Sequence, residues 1–340
     1  MKKILKISIV FLFAFIIFNI NNKVFASMSN VRVSYPSIFI YTGKSIEPPV
    51  IVKDNTGKTL KKGTDYKVSY SNNKNAGTGK IIITGLKKLY SGQITRSFTI
   101  KRKSITSYKN KVSLSQRELV YSNSYRKPSV YIAGLSSSDY KLEYSNNLNV
   151  GTAKLKIIGK GNYTDSITEY FKITKRNISD SKVYYDENKT YTYTGSEIKP
   201  NISKVSFGYT LKPNRDYTVK YSNNINAGTA KIQFTGKGNF TGTKTIHFTI
   251  HRKQISVSPK IKRTTYKNDG KVIPFPVEVY SGGKKLVKGK DYTLTYSCKY
   301  KEKYNMYYYS IKIDGKGNYK FHYSKTFNAS KKNSTVTIGN

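Results

Sequence analysis

The sequence predicts an all-β protein: a tandem array of four small antiparallel β-sandwiches, each about 75 residues long, behind an N-terminal export signal. Three observations carry that prediction. A motif opening with Asp-Tyr returns at positions 65, 139, 216 and 291, at intervals of 74, 77 and 75 residues, and a fixed period of this kind marks a repeat architecture. Within each copy apolar and polar residues alternate, with turn residues recurring about every 8–12 positions. Beyond the N-terminal apolar run no stretch sustains helical periodicity.

Met1 to Ala26 has the three parts of a secretory signal. Lys2, Lys3 and Lys6 supply the positive region, Ile7 to Phe18 an apolar run broken only by Ser8, and Val24-Phe25-Ala26 a cleavage site before Ser27. The run is short of the roughly 20 apolar residues that a membrane span needs. No cysteine follows it to carry a lipid, and Ser334 to Asn340 shows neither a hydrophobic tail nor a sorting motif. Cleavage after Ala26 would remove four lysines and no acid, lowering the net charge from +43 to +39. The expectation is a secreted protein, extracellular or held non-covalently at the cell wall.

Each copy opens on a strand in which Tyr66, Val68 and Tyr70, or Tyr217, Val219 and Tyr221, alternate with polar residues, as in a half-buried strand. The run Asn72-Asn73-Lys74-Asn75-Ala76-Gly77 then reads as a hairpin turn, because Asn and Gly tolerate positive φ. It recurs at 146–151 and 223–228. A second strand follows (Lys80 to Ile83, Lys154 to Ile157, Lys231 to Phe234), then a glycine turn such as Gly159-Lys160-Gly161-Asn162-Tyr163. Phe98 and Ile100, Phe171 and Ile173, or Phe248 and Ile250 mark a closing strand. Weaker strands precede the motif, for example around Val50 to Val52. The predicted boundaries are 31–102, 103–175, 176–252 and 253–330. From the last apolar residue of one copy to the first of the next the spacing is five each time: Ile100 to Ile105, Ile173 to Ile178, Ile250 to Ile255. A constant short basic connection does not behave as a flexible coil, so the expectation is a semi-rigid extended array of roughly 120–160 Å.

The full pattern, D-Y-x-V-x-Y-S-N-N-x-N-x-G-T-A followed by G-K-G-N-Y, resembles the tandem immunoglobulin-like repeats of secreted and surface proteins of Firmicutes such as clostridia. The resemblance spans about residues 31 to 330. It implies four immunoglobulin-like sandwiches and a stalk, adhesive or wall-associated role, and it implies no activity, because its motif is specific to the repeat type alone.

The repeated pairs Asp65-Tyr66, Asp139-Tyr140, Asp216-Tyr217 and Asp291-Tyr292 are read as structural. One carboxylate per 75 residues does not assemble the six to eight oxygens that calcium takes, whereas a carboxylate accepting backbone N–H groups closes a tight turn. The tyrosine then buries its ring. The Asn-rich stretch admits a sugar-binding reading, but turn chemistry explains it with fewer assumptions. A Lys–Asn isopeptide crosslink would need a buried Lys, Asn and acid that the sequence does not place. Cys298, alone, excludes an intramolecular disulfide and a multi-cysteine zinc site. His247, His251 and His322 do not repeat across copies, and none of the 18 acids forms a distinctive pair. No catalytic residue, metal or cofactor is expected.

Of the 61 basic residues only nine are arginine. Lysine is a mobile, hydrated point charge, and arginine the planar fork used to read phosphates and bases. The excess therefore points to diffuse attraction to polyanions and away from sequence-specific nucleic-acid recognition, for which no motif is present. The bland alternative is a lysine-rich composition that only keeps the chain soluble. Anionic cell-wall polymers of the teichoic-acid kind are the expected partner, and a host or surface protein or glycan is a second. The function read from the sequence is a secreted, non-enzymatic, wall-associated repeat protein, with a host-matrix adhesin or an accessory module of a separate wall hydrolase as alternatives. Specific recognition is assigned to the fourth copy. There Asp291 to Gly315 spans 24 residues against 20 elsewhere, and the Asn-rich turn gives way to a run holding Tyr300, Tyr304, Tyr307, Tyr308 and Tyr309. Tyrosine is enriched at recognition surfaces. Divergence that merely caps an array is the simpler account of the same run and the preferred one.

Overall fold

The computed structural model describes residues 26–86 and 90–339, so residues 1–25 of the expected signal lie outside the described residues. Among the described residues the chain is all-β, broken only by short 3-10 turns such as Ile105–Lys111. By packing it divides into two compact units: Met1–Gln116 with Pro128–Ser145 and Lys154–Tyr170, and Arg117–Lys127 with Asn146–Ala153 and Phe171–Asn340. The second sequence copy contributes to both. Among the described residues no helix is long and apolar enough to cross a membrane.

In the first unit, copy one pairs Tyr66–Ser71 with Gly77–Gly85 as an antiparallel hairpin, register Tyr66 to Gly85. Gly77–Gly85 pairs in turn with Gln93–Lys101. Ile38–Ile40 then joins that closing strand in parallel, completing a four-stranded sheet. Arg32–Ser34 and Ile51–Lys53 form the opposing pair. The alternation read from the sequence sets the core: Ile81 and Ile83 are fully buried, with Val52, Leu60, Tyr66 and Phe98 against them. Lys67 and Lys80, their strand neighbours, are exposed. The hairpin of copy two, Tyr140–Ser145 with Gly151–Gly159, has the same register, Tyr140 to Gly159.

In the second unit, copy three repeats the arrangement with Tyr191–Thr192, Thr243–His251, Gly228–Gly236 and Tyr217–Ser222 in one sheet and Lys182–Tyr185 against Ile202–Ser206. Ile232 and Phe234 are fully buried; removing one such side chain from water contributes about 1.5–3 kcal/mol. Glu118–Val120 pairs in parallel with the end of Ser166–Thr174.

Copy four departs from the pattern. Tyr292–Lys301, Met306–Gly315 and His322–Ser330 make a three-stranded sheet whose hairpin continues to Lys301 opposite Met306. Its Thr264–Lys267 does not join the closing strand. It pairs antiparallel with Thr335–Ile338, whose Val336 and Ile338 are buried in the copy-four core. That copy thus continues beyond residue 330, the boundary the motif spacing suggested.

Candidate functional site

The Asp-Tyr motif does one job in every copy. The Oδ2 of Asp65 accepts the Lys61 N–H at 2.7 Å, and those of Asp139, Asp216 and Asp291 accept the N–H of Ser136, Lys212 and Val287 at 2.8 Å each. The aspartate backbone carbonyl takes a further N–H from the glycine turn, from Leu86, Lys160, Lys237 and Lys316 respectively. A carboxylate so used closes the loop before the hairpin. Tyr66, Tyr217 and Tyr292 bury their rings in the core and Tyr140 is half-buried. Burial works to raise the Asp216 pKa, but the bidentate Arg215 guanidinium and the Lys212 N–H outweigh it and hold the group below its ordinary value. The second tyrosine of each motif donates its hydroxyl to a carbonyl across the sandwich: Tyr70 to Pro48, Tyr144 to Pro128, Tyr221 to Pro200, Tyr296 to Phe275. No group of three or more His, Cys, Asp or Glu is gathered among the described residues.

The three asparagines of the N-N-x-N turn have three different duties. The first, Asn72, Asn146 or Asn223, takes the left-handed conformation with φ of 52–55°. The second clasps the strand before the motif: Asn73, Asn147 and Asn224 donate Nδ2 to the carbonyls of Ile46, Arg126 and Ile198 and accept those residues' N–H at their own carbonyls. Asn147 and Asn224, both buried, are therefore spent on backbone, and no lysine is among the buried residues described.

The third asparagine reaches into the following copy. Asn162, the asparagine of the next copy's glycine turn, accepts the Ala76 N–H at 2.8 Å and donates Nδ2 to Asn75 Oδ1 at 3.1 Å. Asn239 does the same with Val150 and Asn149, and Asn318 with Ala227 and Asn226. The backbone carbonyls of Asn162, Asn239 and Asn318 take the N–H of Lys103, Arg176 and Lys253 in the connecting segment. A two-residue parallel pairing follows, Lys103 to Tyr163, Arg176 to Phe240, Lys253 to Tyr319. The aromatic after each asparagine then packs edge-on against a tyrosine of the earlier copy: Tyr163 on Tyr41, Phe240 on Tyr121, Tyr319 on Tyr193, with centroids 5.4–5.6 Å apart. A glycine opens each turn because a Cβ at Gly159 or Gly236 would stand 2.7 Å from the backbone of Thr164 or Thr241.

The sequence reading prefers turn formation to sugar binding for the Asn-rich stretch and does not foresee these joint contacts. A signal was present: N-N-x-N occurs in copies one to three and G-K-G-N in copies two to four, the distribution expected of two halves that meet only at joints.

The tyrosine run of copy four separates into core and tip. Tyr309, named with the recognition set, is 1% exposed. Its hydroxyl donates to Asn268 Oδ1 at 2.8 Å and accepts the Gly270 N–H, so it is removed from any recognition surface. Asn268 in turn donates Nδ2 to the carbonyls of Ser330 and Asn333, tying the hairpin to the returning C-terminal strand. Tyr307 packs over Gly270 and beside Tyr300. Tyr300 and Tyr304 are exposed, at 41% and 54%. Lysine ammonium groups lie over three of these rings: Lys331 over Tyr300, Lys303 over Tyr304, Lys301 over Tyr308. Cys298 is half-buried, and burial pushes its thiol pKa up, away from a reactive thiolate. His322 Nδ1 pairs with Asp314 Oδ1 at 2.7 Å on the exposed sheet face, where Lys312 also meets Asp314 at 3.2 Å.

No family model matches the chain, and no curated protein does. A solved structure titled PcdhgB3 EC1-4 matches over 88% of this chain and 91% of its own, at 11% identity and a TM-score of 0.18. A TM-score that low carries no argument on fold or function.

Proposed function

We propose that this is an exported, non-enzymatic β-sandwich repeat protein retained on anionic cell-wall polymers by its lysine-rich surface. The observation that carries the reading is the charge, 61 basic against 18 acidic residues, presented on the outward faces of the sheets. Lys67, Lys80, Lys154 and Lys156 alternate along strands with core residues and are exposed. The ion pairs described, such as Lys141 with Glu143 and Lys172 with Glu118, neutralise few of them. A field of mobile ammonium groups suits a flexible polyanion such as a teichoic-acid-like chain, which presents regularly spaced charge without a fixed shape.

Binding of this kind releases counterions and weakens steeply with salt, by analogy with the law established for DNA. Washing cells or isolated walls with about 1 M salt, where the screening length is roughly 3 Å, is expected to elute the protein. Retention unchanged by salt would contradict the reading and favour a specific adhesive contact or covalent attachment.

A further inference from the structure

We propose that the cleft at the joint of copies three and four is a subsite for a phosphodiester group of a linear polyol-phosphate polymer, an inference that rests on the wall-polymer reading above and gives it a place on the chain. The cleft has a volume of about 580 Å³ and is lined by Gly228, His251, Arg252, Gln254, Gly317 and Lys320 among others, with no carboxylate and, besides the His251 imidazole, no aromatic ring. Its polar side chains, those of His251, Arg252, Gln254 and Lys320, all carry N–H donors, which is what an anionic oxygen needs.

Three features make this more than a stretch of basic surface. The Arg252 guanidinium donates to the carbonyls of Gly315 and Tyr319, which holds it at the wall and reduces the entropy lost when it meets an anion. The walls come from different copies, with Gly228 and His251 from copy three and Gly317 and Lys320 from copy four. They are fixed together by the Asn318 clasp and by the pairing of Gln254 with Lys320. Gly228, with φ of 137°, has nothing within 4 Å of where a Cβ would stand, so a ligand can approach its backbone closely. The cleft at the preceding joint is also built from two copies, but it is smaller, about 240 Å³, and it contains Asp216 already paired with Arg215.

A phosphodiester in a polyol chain fits better than one in a nucleic acid. Single-strand binders stack successive bases on a platform of aromatic side chains, and this cleft offers one ring, the His251 imidazole.

The test measures binding of the signal-free chain to a glycerol-phosphate polymer, with single-stranded DNA and polyglutamate as comparison probes. Lys320→Glu is compared with Lys231→Glu, an equal charge reversal on the exposed sheet face of copy three. His251→Ala combined with Gln254→Ala alters the cleft without touching the lysine field. Thermal midpoints establish that each variant folds. The expected result is a loss of about tenfold or more for Lys320→Glu, the scale of a hydrogen bond to a charged group. A smaller loss is expected for Lys231→Glu, and a clear loss for the His251 and Gln254 pair on the glycerol-phosphate polymer alone. Equal losses for the two charge reversals, with no effect of the pair, would overturn the subsite while leaving the electrostatic reading intact. Preference for DNA would overturn the assignment of the ligand. Failure of the unaltered chain to bind the glycerol-phosphate polymer at low salt would overturn both.

Discussion

Raising the pH above about 10 is expected to unfold the protein, with stability falling as pH rises. The cause is its buried phenols. Burial is the first cause raising the pKa of Tyr66, Tyr217 and Tyr292 in the cores. It is also the first cause for Tyr144, Tyr221 and Tyr296, whose hydroxyls span the sandwich. Tyr163 and Tyr319 at the joints and Tyr309 beneath the copy-four hairpin are raised for the same reason. A group whose folded pKa lies above its unfolded value contributes stability that is fully present below the unfolded value, near 10 for tyrosine, and is lost as pH climbs through the folded one. Because many phenols are raised in the same direction, their contributions to the loss add. Free lysine side chains lose charge in the same range, which relieves like-charge repulsion and acts the other way, so net destabilisation is attributable to the phenols. Tyrosinate absorbance and far-ultraviolet circular dichroism followed in one titration check this. The buried tyrosines should ionise together with the loss of β-signal. Complete ionisation near pH 10 with the β-signal unchanged would show that the phenols are not protected by the fold.

Asn239→Ala is expected to cost about 1–3 kcal/mol and to reduce the cooperativity of unfolding. The substitution leaves the Val150 N–H without its acceptor and Asn149 Oδ1 without its donor, and an orphaned polar group costs more than the net worth of the bond it made. In a repeat array the joint between adjacent copies is the nearest-neighbour term. A double-mutant cycle with Asn149→Ala isolates the side-chain contact, and contacting residues of this kind couple by about 0.5 kcal/mol or more. Calorimetry on the single and double variants checks it. Additive effects and an unchanged transition width would show that the asparagines are only turn formers.

Much of the fold was legible in the sequence because it rests on period two. The alternation of Tyr217, Val219 and Tyr221, and of Ile232 and Phe234 with their lysine and glutamine neighbours, specified strand, face and hairpin together. The role of the aspartates was legible from their placement before each strand. The joints were not, for two reasons. Parallel pairings two residues long, such as Arg176–Asn177 with Phe240–Thr241, carry no periodicity. The third asparagine of each turn also looks locally like any other residue tolerant of positive φ, and its partner lies 87 to 92 residues away. Thr335–Ile338 does alternate, as T-V-T-I, but four residues after a polar stretch say nothing of which strand they will meet. The run of tyrosines in copy four read as a surface feature, and the structure divides it by distance along the hairpin: Tyr309 and Tyr300 share a face, but Tyr309 lies over the core while Tyr300 and Tyr304 stand at the exposed tip. The basic cleft required two copies to be brought together, and no local pattern encodes that.

The most direct test of the central claim is the binding of the signal-free protein to purified Gram-positive walls before and after chemical removal of their phosphate-bearing polymers, at fixed moderate salt. The account predicts that most of the binding disappears with the polymers and returns when glycerol-phosphate chains are supplied on a bare matrix. Equal binding to stripped and intact walls would contradict it.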